Sequence, residues 1–200
     1  MSEPITTATK ITIGRLALIP VFVVVGTLYG WSCLAGEPND ALRIAAVIIF
    51  FTAAASDSLD GYIARKYNQM SKLGAILDPI ADKALMMSAL LVISLSGWDN
   101  SFPWWYVVIV ITRDITTIVG SVIVKAIIGK VDIVPHWTGK RATFFQIVTY
   151  TSTMLLAPPG FVIYPLIAAA VLTFTSGVGD VTAGIRQIKA HKKASNGQSK

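Results

Sequence analysis

Apolar residues run through this chain in six long blocks separated by short polar breaks. The blocks extend from about Ile11 to Tyr29, Ala41 to Arg65, Lys72 to Leu95, Trp104 to Ile128, Lys140 to Leu156 and Phe161 to Ile185. A helix needs roughly 20 apolar residues to cross the hydrocarbon core of a bilayer. The pattern therefore predicts an all-α, polytopic membrane protein of six transmembrane helices. Gly36-Glu37-Pro38-Asn39-Asp40 and Gly97-Trp98-Asp99-Asn100 read as polar turns, and Pro158-Pro159-Gly160 closes the fifth block. Pro79 falls inside the third block and predicts a kink or a local break there. The expected organisation is one transmembrane domain, residues 1–186, followed by a basic cytoplasmic tail, residues 187–200, of disordered character.

Charge orients the six-helix scheme. Lys10, Arg65, Lys66, Lys72, Lys125, Lys130, Lys140, Arg141, Arg186, Lys189, Lys192 and Lys193 fall on one side. Arg43 is the sole basic residue on the other, beside Glu37, Asp40 and Asp99, with Trp31, Trp98, Trp104 and Trp105 as an aromatic belt. The positive-inside rule then places both termini, and the loop between the second and third helices, in the cytoplasm. The N-terminus suggests neither a cleavable signal nor a transit peptide, so a plasma (inner) membrane is expected. Composition agrees: 54% of the 200 residues are hydrophobic and 14% charged, too apolar for an ordinary soluble domain. The net charge of +6 sits in loops and tail beside apolar helices, which favours anionic lipid and argues against nucleic acid. A single cysteine, Cys33, excludes an intramolecular disulfide framework, and the isolated His136 and His191 offer no zinc cluster.

The chemistry is concentrated in one stretch. Asp57, Asp60, Gly61 and Ala64 fall at i, i+3, i+4 and i+7 and share a helix face. Asp78 and Asp82, at i and i+4, share a face of the next helix. Ionised carboxylates are expensive in a membrane segment and so mark function. Four of them can converge if the two helices pack antiparallel, and only positive charge can then hold them together. Hard oxygen ligands in that number point to Mg²⁺ or Mn²⁺, one ion or two. Small residues at Gly61, Ala64 and Gly74 let a ligand or a second backbone approach, and Arg65 supplies a fork suited to a diphosphate. Carboxylates, metal and arginine together suit phosphoryl transfer. A structural polar network, or an ion channel or transporter, is the alternative reading of the aspartates alone. Such proteins would spread acids along a pathway, whereas these are clustered, and no internal repeat is visible.

The complete pattern D-x₂-D-G-x₂-A-R-x₈-G-x₃-D-x₃-D occupies Asp57, Asp60, Gly61, Ala64, Arg65, Gly74, Asp78 and Asp82. It resembles the signature of the CDP-alcohol phosphatidyltransferases, and the resemblance extends over most of the chain. It implies that Asp57, Asp60, Asp78 and Asp82 hold two Mg²⁺ or Mn²⁺ ions that bridge the diphosphate of CDP-diacylglycerol. It further implies that Asp82 removes the acceptor hydroxyl proton, that Gly61 lies against the nucleotide and that Arg65 contacts the diphosphate. Ser71 matches a position that contacts the nucleotide. The implied reaction is attack of an alcohol on the β-phosphorus with CMP leaving, and a homodimer is implied too.

The acceptor is less legible. Thr12-Ile-Gly-Arg15-Leu-Ala-Leu-Ile-Pro20, and the segment from Gly139-Lys140-Arg141 to Thr143 and Gln146, resemble phosphatidylglycerophosphate synthases and also CMP-forming cardiolipin synthases. Arg113-Asp114 in the fourth block is closer to the cardiolipin branch. Glycerol 3-phosphate is the first expectation and phosphatidylglycerol the second. Arg113, Lys140 and Arg141 are the candidate acceptor-binding cations, set against plain readings as a buried ion pair and as helix-start charges. Arg15 is expected to snorkel or to line a cavity near the N-terminal interface. Asp180 is expected to serve helix packing.

Overall fold

The computed structural model describes residues 7–66, 72–128, 137–156 and 158–197, with side chains described at 11–56, 77–124, 126–128, 139–156, 158 and 160–189. Among the described residues, six helices follow one another: α1 (Thr7–Leu34), α2 (Asp40–Lys66), α3 (Lys72–Leu95), α4 (Trp104–Ile128), α5 (Trp137–Met154) and α6 (Pro159–Gly197). The boundaries follow local chemistry. Asn39 caps α2, its Oδ1 accepting from the backbone N–H of Ala41 at 3.0 Å and of Leu42 at 3.4 Å. Gly36 and Gly97 follow α1 and α3 with φ of 79° and 88°, a left-handed region that favours glycine at helix ends.

Helix continuity bears on two expectations. Pro79 does not break α3, which is continuous around it; its missing N–H removes a single ladder bond, which a packed bundle tolerates. The segment expected to be a disordered tail is helical, because α6 continues past Arg186 to Gly197. The run after Arg186 holds three Lys and two Ala and no Pro or Gly before Gly197, so helix propensity carries the helix onward.

Among the described residues, three segments are long and apolar enough to cross a membrane: Ile11–Leu34, Trp104–Ile128 and Gly160–Lys189. The other helices hold the charged positions of the motif, or the basic start and hydroxyl-rich body of α5, and are correspondingly less apolar. The surface is far more apolar than that of a water-soluble domain, around a core that is itself mainly apolar but holds polar groups. Val24, Trp31, Ile48, Ile118, Val122, Phe144, Phe161 and Phe174 are exposed, while Thr12, Arg15, Gln146, Thr149, Thr173 and Ser176 are buried. An apolar surface this extensive is solvated by lipid, and the polar groups turn inward.

The chain forms two compact units. The first holds α1–α3 through Phe102 together with the end of α5 from Tyr150; the second holds α4, α5 to Thr149, and α6. In the first unit α1 packs on both α2 and α3. Phe22 of α1 meets Phe50 of α2 with ring centroids 5.8 Å apart. Glycines set the approach of α1 to α3. A Cβ at Gly26 would lie 2.7 Å from Val92 Cγ1, and one at Gly30 would collide with the Ser96 carbonyl. Trp98 caps this contact, donating from Nε1 to the Gly26 carbonyl at 3.0 Å and meeting Tyr29 edge-on at 4.5 Å. In the second unit α4 packs on α6. There the amide of Gln146 on α5 donates to Thr173 Oγ1 on α6 at 3.1 Å, both residues buried.

Candidate active site

The motif straddles the junction of α2 and α3. Asp57, Asp60, Gly61, Ala64 and Arg65 occupy the last turns of α2, and Gly74, Asp78 and Asp82 the first turns of α3. The helical backbone puts Asp57, Asp60, Gly61 and Ala64 on one face of α2, as their spacing predicts, and Asp78 one turn before Asp82 on α3. The side chains of Asp57, Asp60, Ala64 and Arg65, and the surroundings of Gly61 and Gly74, lie outside the described set, and Ser71 lies outside the described residues altogether. Among the described residues, no group of three or more His, Cys, Asp or Glu gathers as a metal site. The side chains of two of the four predicted ligands, Asp57 and Asp60, lie outside the described set.

The α3 half is described. Asp78 is half-buried, and its Oδ1 accepts a hydrogen bond of 2.7 Å from Thr12 Oγ1 on α1. Thr12 is 1% exposed, and so is Arg15, one turn later on the same helix. Arg15 is thus buried in the unit and does not snorkel at an interface. Asp82 is half-buried and engaged in polar contact, as is Lys83. This donor set fits a hard divalent cation. A carboxylate offers about four lone-pair sites, and the Thr12 hydroxyl takes one of those on Asp78.

A second polar centre lies in the other unit, on the facing sides of α4 and α6. Arg113 Nη1 donates to Asp114 Oδ1 at 3.0 Å. Its Nη2 lies 3.3 Å from Ser176 Oγ and 3.8 Å from Asp180 Oδ2. Thr117 Oγ1 donates to the same Asp180 oxygen at 3.0 Å. Arg113–Ser176 and Thr117–Asp180 both join residues 63 apart, so α4 and α6 run parallel in one register. Glycines make room for the guanidinium: a Cβ at Gly139 would come within 3.2 Å of Arg113 Nη2, and one at Gly177 within 3.3 Å of Arg113 Cγ. Arg113 Nε is buried without a hydrogen-bond partner. Lys140 and Arg141 follow Gly139 in the first turns of α5 and are both exposed.

The expected Arg113–Asp114 pair is therefore present, and Asp180 completes it as a second carboxylate on Arg113. Sequence reading assigned Asp180 to packing and did not single out Ser176, Thr117 or Thr12. Their signal was weak: a hydroxyl one turn from a charged residue, Ser176 with Asp180 and Thr117 with Arg113, on helices that had no other evident reason to pair.

Residues 5–178 match the family described as CDP-alcohol phosphatidyltransferase. The chain is 36% identical over 184 residues to a probable phosphatidylglycerophosphate synthase of Mycobacterium tuberculosis, covering 90% of this chain and 82% of that protein. It is 35% identical over 149 residues to a CDP-diacylglycerol–glycerol-3-phosphate 3-phosphatidyltransferase of Bacillus subtilis, covering 73% and 75% of the two chains. A protein of the same description in Escherichia coli is 35% identical over 180 residues, covering 84% and 88%.

Proposed function

The chain belongs to the CDP-alcohol phosphatidyltransferase family, and we propose that it transfers the phosphatidyl group of CDP-diacylglycerol to glycerol 3-phosphate, giving phosphatidylglycerophosphate and CMP. It is an integral membrane enzyme of phospholipid synthesis. One observation carries the choice of acceptor. Three relatives, each matched over most of its own length, are named for glycerol 3-phosphate or for its product.

In this proposal the acceptor hydroxyl oxygen attacks the β-phosphorus of CDP-diacylglycerol. A new P–O bond forms, the bond from that phosphorus to the bridging oxygen breaks, and CMP departs with the bonding pair. Asp82 takes the proton from the attacking hydroxyl. Asp57, Asp60, Asp78 and Asp82 hold Mg²⁺ or Mn²⁺, two ions in the full set. When bound, the metal offsets negative charge on the diphosphate and the leaving phosphate. Gly61, Ala64 and Gly74 leave room for the nucleotide, Arg65 grips the diphosphate and Ser71 contacts the nucleotide. Helix placement contributes orientation, which can account for much of the rate in phosphoryl transfer.

Arg113, Lys140 and Arg141 are the acceptor-binding cations of the proposal. The buried, unpartnered Nε–H of Arg113 supports this, since such a donor suits an anionic oxygen. The same residue favours a second reading. The adjoining Arg113-Asp114 pair resembles cardiolipin synthases that use phosphatidylglycerol, which also carries a phosphate. The proposal extends to six membrane-spanning helices, both termini and the active site on the cytoplasmic side of the plasma membrane, and a homodimer. The one-sided distribution of basic residues supports the orientation.

The test is an acceptor panel. The purified chain, with CDP-diacylglycerol and Mg²⁺, is offered glycerol 3-phosphate, phosphatidylglycerol, serine and inositol phosphate separately. Turnover with glycerol 3-phosphate above all others supports the proposal. Cardiolipin formation from phosphatidylglycerol, with glycerol 3-phosphate ignored, moves the chain to the second reading.

A further inference from the structure

The motif lies entirely on α2 and α3, yet the one hydrogen bond described on Asp78 comes from α1. We infer that Thr12 is a positioning residue for Asp78, and that α1 forms a third wall of the metal site. This rests on the reading of Asp78 as a metal ligand.

The helices α1 and α3 keep one register. Gly26 lies against Val92, Gly30 against Ser96 and Thr12 against Asp78, and in each case the two residues are 66 positions apart. A constant offset means that α1 and α3 run parallel in a single register from the glycine contacts down to the carboxylate. The close approach at Gly26 and Gly30 fixes that register, because any side chain there would meet Val92 or the Ser96 backbone. The contact of Thr12 with Asp78 is thus set by the packing of the whole helix pair.

The hydroxyl of Thr12 also has an unusual partner. Thr52, Thr116 and Thr149 donate to the carbonyl one turn back on their own helices, the usual habit of helical threonine. Thr12 donates to a carboxylate on another helix at 2.7 Å. A hydroxyl bond to an ionised carboxylate is among the stronger neutral-to-charged pairs. Thr12 itself is 1% exposed, so its hydroxyl is held in the interior beside Asp78. The bond holds the Asp78 rotamer and leaves lone pairs for a cation. Arg15, equally buried one turn on, shows that this face of α1 is bundle interior, while Ile13 between them faces outward.

The test titrates Mn²⁺ alone into the purified full-length chain and reads free Mn²⁺ by electron paramagnetic resonance. Groups that orient a metal ligand typically change affinity by about 10–100-fold. Thr12→Val should raise the Mn²⁺ Kd at least ~10-fold. Thr12→Ser, which keeps the hydroxyl, should bind close to wild type. Thr12→Ala, which inserts nothing, serves if the valine variant does not fold. In an Asp78→Asn background, Thr12→Val should have no further effect. Wild-type affinity in Thr12→Val or Thr12→Ala, with Asp78→Asn weakened, overturns the positioning role alone. Wild-type affinity in Asp78→Asn overturns the metal reading and the inference with it.

Discussion

Removing Arg113 tests how the second polar centre is held together and what it is for. Arg113 meets two carboxylates, Asp114 at 3.0 Å and Asp180 at 3.8 Å. Their side chains are 12% and 23% exposed, so neither is well hydrated once the guanidinium is gone. Stripping one partner from a buried pair typically costs about 3–5 kcal/mol. Asp114 accounts for most of that in Arg113→Ala. Asp180 is more exposed, farther away and still bonded to Thr117, and adds about 1 kcal/mol or less after screening. The double variant Arg113→Ala/Asp114→Ala is therefore an incomplete control, because it leaves Asp180 behind. Arg113→Ala/Asp114→Ala/Asp180→Asn removes all three charges. The single variant should have the lowest thermal midpoint in detergent, the double should recover most of the loss and the triple the remainder. Initial rates against glycerol 3-phosphate then separate folding from function. A stable triple variant should show an acceptor KM raised at least ~10-fold, the loss of one charge-assisted contact, with the KM for CDP-diacylglycerol nearly unchanged. A single variant as stable as wild type would refute the buried-pair argument. A stable triple variant with unchanged acceptor KM would remove Arg113 from the acceptor site.

Other outcomes follow from the same account. Asp82→Asn should lose ~10²-fold or more in turnover yet still bind CDP-diacylglycerol in an equilibrium assay; normal turnover removes Asp82 from the base role. Asp57→Asn, Asp60→Asn and Asp78→Asn should each nearly abolish turnover, and EDTA should abolish it in wild type; activity that survives exhaustive chelation rules out the metal-dependent route. Gly30→Ala should destabilise the fold by about 1–3 kcal/mol, because its Cβ meets the Ser96 carbonyl, which cannot swing away. Gly120→Ala, with open space around the added Cβ, should be neutral or stabilising by up to ~1 kcal/mol; equal thermal midpoints for the two variants would sink the register argument.

The helices were legible because apolar runs and turn residues carry strong local signals. The predicted third and fourth helices coincide with α3 and α4, and the others differ mainly at their ends. The ends failed for local reasons. Trp137-Thr-Gly extends α5 at its start, and a propensity-rich basic segment carries α6 to Gly197. The aspartate motif was legible because its members lie within two adjacent helices at helical spacing. Thr12 and Asp180 were not, since each acts on a residue more than 60 positions away, and nothing in periodicity announces the register of one helix on another. The choice between snorkelling and an inward-facing Arg15 was open for the same reason: near the start of a spanning helix, a lone arginine suits either until its burial is known.

The most direct measurement follows the phosphorus. CDP-diacylglycerol labelled with ³²P at the β-phosphate alone is incubated with the purified chain, Mg²⁺ and glycerol 3-phosphate, and lipid and nucleotide are separated. Phosphatidyl transfer puts the label in phosphatidylglycerophosphate, with an equimolar amount of unlabelled CMP. Label recovered in the nucleotide fraction, or none in phosphatidylglycerophosphate while CDP-diacylglycerol is consumed, would contradict it.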